Sequence, residues 1–288
     1  MDNATLLILA ATGFAGGTFG AMLGLGGGVL IVPLLTGILG IPIHQAIGAS
    51  LVGVVATSSA GAGVYLKSRL VNVRLGLLLE PVLALGGITG GLIAALLSGQ
   101  VLSALFALAL IFTAYNMYKT GQVQDERLHG EIDEHVQTAH AGRVYDALSG
   151  EITDKATGRT TAYRVRGVPI GLGASFVAGN MAGLLGIGGG IIKVPVMHLL
   201  MGLPLKASVA TSNFAMGVTA SAAAFVYLSE GLVNPFLVAP VVIGVVVGAQ
   251  VGSRIAERVQ SSALGRVFVV VLLFMAAQMV SKAVGISG

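Results

Sequence analysis

GLGGGVLIVP, Gly24 to Pro33, returns after a shift of 162 residues as GIGGGIIKVP, Gly186 to Pro195. In a water-soluble protein such a run suggests a phosphate cradle. The dinucleotide fingerprint requires G-x-G-x-x-G between a strand and a helix, with an acidic residue further on. Gly24 and Gly26 match its beginning, but Val29 occupies the third-glycine position, and no Asp or Glu follows before Glu80. The surroundings are wrong as well. From Asn3 to Leu66 there is no Asp, Glu, Lys or Arg, and His44 is the only histidine. The glycines therefore interrupt an apolar, membrane-like segment.

Composition agrees. Of 288 residues, 55% are hydrophobic and 10% charged, where a soluble domain carries roughly 25% charged residues. Further uncharged runs are Pro81 to Tyr118, Gly167 to Ile192, Ala207 to Ser229 and Gly231 to Ser253. A helix needs about 20 apolar residues to cross a bilayer core. Barrel strands would alternate apolar and polar, and these runs do not. The opening MDNATLLILA lacks the positive region of a signal peptide, so it reads as the start of a mature first helix. There is no cysteine, and no metal cluster or cofactor motif emerges. The net charge of +4 lies in the links between spans, as the positive-inside rule expects. Nucleic acid is not needed as a partner; the lipid bilayer is.

The repeat extends well beyond the glycines. Leu23 to Ala94 aligns without a gap on Leu185 to Ala256, with twenty-five identities in seventy-two positions. These include Pro42/Pro204, Ser50/Ser212, Thr57/Thr219, Val64-Tyr65-Leu66 on Val226-Tyr227-Leu228, and Asn72/Asn234. Each half predicts an apolar helix running into the glycines (5–23; 170–185). A short helix follows (29–39; 191–201), and then three long helices (45–66, 75–97, 101–118; 207–228, 235–256, 264–284). At 1.5 Å per residue the short helix covers only about half of the bilayer core. Lys67, Arg69 and Arg74 flank one link of the first half, whereas Arg254, Arg258 and Arg266 flank the non-corresponding link of the second. Positive links face the cytoplasm, so the halves predict inverted copies, as recur among secondary transporters. Three long helices per half give an odd number of crossings only if the glycine segment enters and leaves on one side. The expected fold is thus an all-α polytopic membrane protein of two inverted-topology repeats. Each has a glycine-broken hairpin or re-entrant segment plus three long transmembrane helices. The first repeat is 1–118 and the second 168–288. Between them, 119–167 is a polar cytoplasmic linker with a β-hairpin about Lys155–Gly158. Both termini fall on the outer side of the cell (inner or plasma) membrane.

Irregular backbone at bilayer depth survives only where protein or a water-filled cavity covers it. A glycine break leaves amide N–H groups free at the start of the short helix, where they and the helix dipole attract anions. Two inverted copies would bring Gly26, Gly27 and Gly28 toward Gly188, Gly189 and Gly190 as two halves of one anion pocket. The other reading is that the glycines serve close helix packing alone.

These motifs, with ATSNFAMGVTAS at Ala210–Ser221, resemble the sulfite exporter family TauE/SafE, also called the TSUP transporters. The likeness covers nearly the whole chain apart from its polar middle. It implies movement of a small sulfur-containing anion: sulfite, thiosulfate, or an organosulfonate such as sulfoacetate or a taurine-related compound. It does not choose among them.

Several polar residues lie within the apolar spans. Lys193 stands where the first half has Ile31. It reads either as a buried cation beside the anion or as a lysine snorkelling to the interface. Ser50, Thr57, Thr211, Ser212 and Asn213 offer hydroxyl or amide groups to an oxyanion, or else bond helix to helix. Glu80 and His198 are candidates for proton coupling. Glu80, six residues past Arg74, also reads as interfacial, and His198 as a packed polar residue. The expectation is a secondary transporter, an exporter in the family's sense, working by alternating access around a mid-membrane site. An anion channel is the alternative. An intramembrane enzyme finds no nucleophile and base to support it. A homodimer is compatible with the sequence, which does not report oligomeric state.

Overall fold

The structure is a computed structural model and describes residues 2–129, 145–153, 160–258 and 262–285. The helices are α1 (Asn3–Leu23), α2 (Gly28–Ile38), α3 (Ile43–Lys67), α4 (Val73–Leu96), α5 (Gly99–His129), α6 (Val168–Leu185), α7 (Gly190–Pro195), α8 (Leu205–Ser229), α9 (Pro235–Arg258) and α10 (Ser262–Ala283). Strands β1 (Gly150–Thr153) and β2 (Thr160–Tyr163) lie in the polar middle. Among the described residues, seven helices are long and apolar enough to cross a membrane: α1, α3, α4, α5, α6, α8 and α9. Many of their residues are β-branched, but in lipid a helix satisfies every backbone group within the segment, which overrides local preference. Leu7, Leu96, Phe225, Phe236 and Ile243 are exposed, and an outward apolar surface of this extent suits acyl chains. The molecule is a multi-pass, all-α membrane protein.

The two glycine breaks are built alike. Gly24 and Gly186 take left-handed conformations (φ 71° and 68°) and close α1 and α6. Leu25 N–H then reaches back to the Gly20 carbonyl at 3.1 Å, a left-handed helix stop that L side chains disfavour. Gly27 and Gly189, at φ 83° and 72°, open α2 and α7. The chain then doubles back. A Cβ on Gly16 would meet Ile31, and one on Gly20 would meet Gly27, so α2 runs antiparallel to α1 as a hairpin.

The halves exchange partners. On one side Gly13 and Gly17 of α1 press against Val241 and Val245 of α9; on the other, Gly179 and Gly183 of α6 press against Leu83 and Gly87 of α4. Small residues at four-residue spacing let the backbones touch, the usual route to helix association in lipid. Tyr65 Oη and Asn213 Nδ2 both donate to the Ala21 carbonyl, each at 2.8 Å. The end of α3 therefore lies beside the start of α8. Ser50 reaches Gly186 and Tyr227 reaches Gly183, placing the start of α3 beside the end of α8. The repeat-related helices α3 and α8 thus run in opposite directions.

The polar middle packs onto one end of this bundle. Strands β1 and β2 pair antiparallel, Gly150 opposite Tyr163 and Thr153 opposite Thr160, as expected of a hairpin; its turn, with Lys155–Gly158, lies outside the described residues. Ile152, Tyr163 and Val165 join Leu70, Leu75, Leu79, Met197 and Met201 in a second apolar cluster. Asn72 holds them together. Its Oδ1 caps α4 by accepting from Leu75 N–H, while its Nδ2 donates to Leu148 O at 2.7 Å and Tyr163 Oη at 3.0 Å. Burial pushes the Tyr163 phenol above its ordinary range, so it remains protonated.

Three expectations need correction. Helix α5 continues eleven residues past the expected boundary, to His129, because TGQVQDERLH is rich in good helix formers. The second short helix is not one α-helix. It is α7 followed by a π turn at Val196–Leu200. Met201 N–H bonds back to Val196 O, five residues earlier, whereas α2 stays α-helical through the matching Pro33. Glu80 is not interfacial: it is buried inside the bundle.

Candidate functional site

The two breaks cross in direct backbone contact. A Cβ on Gly28 would run into the Gly186 carbonyl, and one on Gly190 into the Gly24 carbonyl. Both breaks lie against Val54 and Met216, near the middle of the 25-residue helices α3 and α8. Gly26, Gly27, Gly28, Gly188, Gly189 and Gly190 are all buried there. The breaks thus meet at mid-height, away from the helix ends.

A buried carbonyl left unpaired at a helix end would be costly, and side chains of the other half supply the donors. Ser50 Oγ donates to Gly186 O at 2.7 Å, and Ser212 Oγ to Gly24 O at 3.1 Å. Asn213 joins them through Ala21 O, while its own Oδ1 is buried with no hydrogen-bond partner. Ser58 links α3 to α8, donating to Asn213 O at 2.5 Å and accepting from Gly217 N–H at 3.1 Å.

The remaining candidates separate. Thr57 donates to Gly53 O of its own helix. Thr211 Oγ1 accepts from Asn72 N–H, which ties it to the hairpin side of the bundle. His198 is part-buried with Nδ1 2.8 Å from Leu203 O. A carbonyl only accepts, so the proton sits on Nδ1, and the ring fastens the π turn.

Lys193 does not snorkel. It is 3% exposed, and its Nζ lies 3.5 Å from Glu80 Oε2, with Glu80 5% exposed. Glu80 Oε1 accepts from Thr219 N–H at 2.7 Å and from Thr219 Oγ1 at 2.5 Å. Its Oε2 and the Lys193 ammonium have no hydrogen-bond partner among the described residues. A cation from α7, a carboxylate from α4 and a hydroxyl from α8 thus meet inside the bundle. Intramembrane charges of this kind are expensive and commonly functional.

Sequence reading missed the pairing of Lys193 with Glu80 and the roles of Ser58, Tyr65 and Tyr227. A signal for the pair existed. Under the 162-residue shift Lys193 falls on Ile31 and Glu80 on Val242, so both are charged departures from the repeat within apolar segments. The tyrosines were visible as identities, but only the fold shows that each reaches the last turn of the helix preceding a break.

Chemically, the arrangement offers one buried cation, the N-termini of α2 and α7, and several neutral donors. These are the groups that replace water around an oxyanion. Among the described residues no cluster of three or more His, Cys, Asp or Glu could hold a metal.

Comparison with known proteins finds membrane transporters. "Probable membrane transporter protein YunE" of Bacillus subtilis (strain 168) is 26% identical over 289 residues, covering 97% of this chain and 99% of the relative. "Probable membrane transporter protein YdhB" of the same organism is 24% identical over 223 residues, 77% of this chain and 78% of the relative. "Probable membrane transporter protein MJ0441" of Methanocaldococcus jannaschii is 26% identical over 230 residues, 78% of this chain and 73% of the relative. No solved structure matches. The family model described as "Sulfite exporter TauE/SafE" matches residues 9–279, almost from the first helix to the last, and the chain belongs to that family.

Proposed function

We propose that this protein is a secondary transporter of a small sulfur-containing anion. The class comprises sulfite, thiosulfate and organosulfonates such as sulfoacetate or a taurine-related compound. The two halves act as inverted repeats that rock about the crossed glycine breaks. The polar middle is cytoplasmic, and both termini are outside. Lys193 supplies the charge that attracts the anion. The first turns after Gly26–Gly28 and Gly188–Gly190, with Ser50, Thr57, Thr211, Ser212 and Asn213, supply neutral donors as the halves part. Glu80 sets the electrostatics of the site, and His198 offers a proton relay on the same side as the linker. The direction is export.

The observation that carries this reading is the ammonium of Lys193, buried inside the bundle beside Glu80, in a chain whose family is described by sulfite export. Purified protein in liposomes tests it against sulfite, thiosulfate, sulfoacetate, taurine and sulfate. Saturable uptake with counterflow of at least one sulfur anion is expected. No flux of any of them would refute the reading, and non-saturating flux without counterflow would make the protein a channel.

A further inference from the structure

We propose that Glu80 is a tethered anion that occupies Lys193 when the carrier is empty and gives up the lysine, which turns away, when cargo binds. This rests on the transporter reading and adds a resident competitor to the site.

The two oxygens of Glu80 are treated differently. Oε1 is pinned to α8 by both the N–H and the hydroxyl of Thr219, at 2.7 and 2.5 Å. Oε2 faces the Lys193 ammonium at 3.5 Å. The carboxylate is thus anchored to α8 through one oxygen and offers the other to the lysine. Losing the lysine would leave Oε1 held, so Glu80 need not move when Lys193 turns to an incoming anion.

The pair also joins the parts that must move. Glu80 belongs to α4 of the first half and Lys193 to α7 of the second. A bare ammonium buried at 3% exposure would hold an anion tightly, and an empty carrier would be ill suited to reorient with it uncompensated. A carboxylate tethered alongside removes both problems. It weakens apparent affinity by occupying the cation, as any unavailable fraction of a site does, and it neutralises the empty form. The repeat mates Ile31 and Val242 are apolar, so the repeat supplies no second copy of this pair.

The test uses full-length protein in liposomes with 35S-labelled sulfite and thiosulfate. For Glu80→Gln we expect half-saturation in counterflow to fall about tenfold, because the competitor is gone. Counterflow should persist, since the carrier crosses loaded both ways. Net efflux into anion-free buffer should fall about tenfold or more, since the empty form keeps a bare charge. Glu80→Asp keeps the charge but shortens the tether, so the same shifts should appear in smaller degree; it decides the question if Glu80→Gln does not fold. Thiosulfate should also raise the melting temperature of Glu80→Gln more than that of wild type. Equal loss of counterflow and net efflux with no gain in affinity would overturn the proposal. So would wild-type behaviour of the Lys193→Ile/Glu80→Val double variant. Wild-type protein inert in both modes would instead remove the transporter reading, and the tether with it.

Discussion

The two halves share a backbone device and differ in chemistry. Gly24–Pro33 and Gly186–Pro195 make the same left-handed exit, crossing and return. Ser50 and Ser212 donate to equivalent carbonyls of the opposite break, as Tyr65 and Tyr227 do to equivalent turns of the preceding helices. The polar interior is not doubled. Lys193, Glu80 and Asn213 face Ile31, Val242 and Leu51 under the repeat. Thr219 binds the Glu80 carboxylate, whereas its mate Thr57 bonds only to its own helix. Crossing two backbones requires complementary shapes from both copies, so that part stayed duplicated. A charge inside lipid is expensive, and one cation with one counter-anion suffices.

The shared part breaks first. Gly28→Ala and Gly190→Ala each drive a methyl into a carbonyl of the opposite break. Each should cost roughly 3 kcal/mol or more, at or above the upper end of ordinary overpacking. Loss of monodisperse protein on size-exclusion chromatography, to a similar degree for both, is the check; a large difference would mean that the two crossings are not equivalent.

The unshared part comes next. Lys193→Met alone strands the Glu80 carboxylate and should cost about 3–5 kcal/mol. Lys193→Ile with Glu80→Val copies the pair Ile31/Val242 and should be near neutral, or more stable by about 1–4 kcal/mol. Melting temperatures in detergent measure this, and transport should be lost in both variants. If the double variant melts as low as the single, the pair has a structural role that its symmetry mate does not fill.

The smallest effect sharpens the comparison between the tyrosines. Tyr65→Phe leaves the Ala21 carbonyl still bonded to Asn213. Tyr227→Phe removes the side-chain donor from Gly183, where the repeat offers Leu51 in place of an asparagine. Tyr65→Phe should cost about 0.5–1 kcal/mol and Tyr227→Phe about 1–2, since an unsatisfied buried acceptor is the larger penalty. Equal melting shifts would argue against Asn213 as the compensating donor.

Much of the fold was legible. Span positions followed from uncharged runs, because lipid tolerates little else. The hairpin at each break followed from glycine spacing and the need for an odd number of crossings. The helix boundary at Tyr118 was misplaced because polarity marks where a bilayer ends, and a helix of polar residues such as Thr120–His129 can continue beyond it. Glu80 was misread because six residues from Arg74 looks interfacial along the chain, while its partner on α7 lies 113 positions away.

By itself, then, the amino-acid sequence determined that the chain lies in membrane, that it is a duplicated helical protein, and that glycines stop one helix of each copy. Those outcomes depend on local composition and on what a few consecutive residues allow the backbone to do. The tertiary structure alone decided that the two stops interlock, that serines and tyrosines satisfy their carbonyls, and that one lysine meets one glutamate between the halves. These contacts join residues far apart in the chain, 44 positions for each tyrosine and more than a hundred for the serines and the Lys193–Glu80 pair, and only packing selects which of many buried polar groups become neighbours.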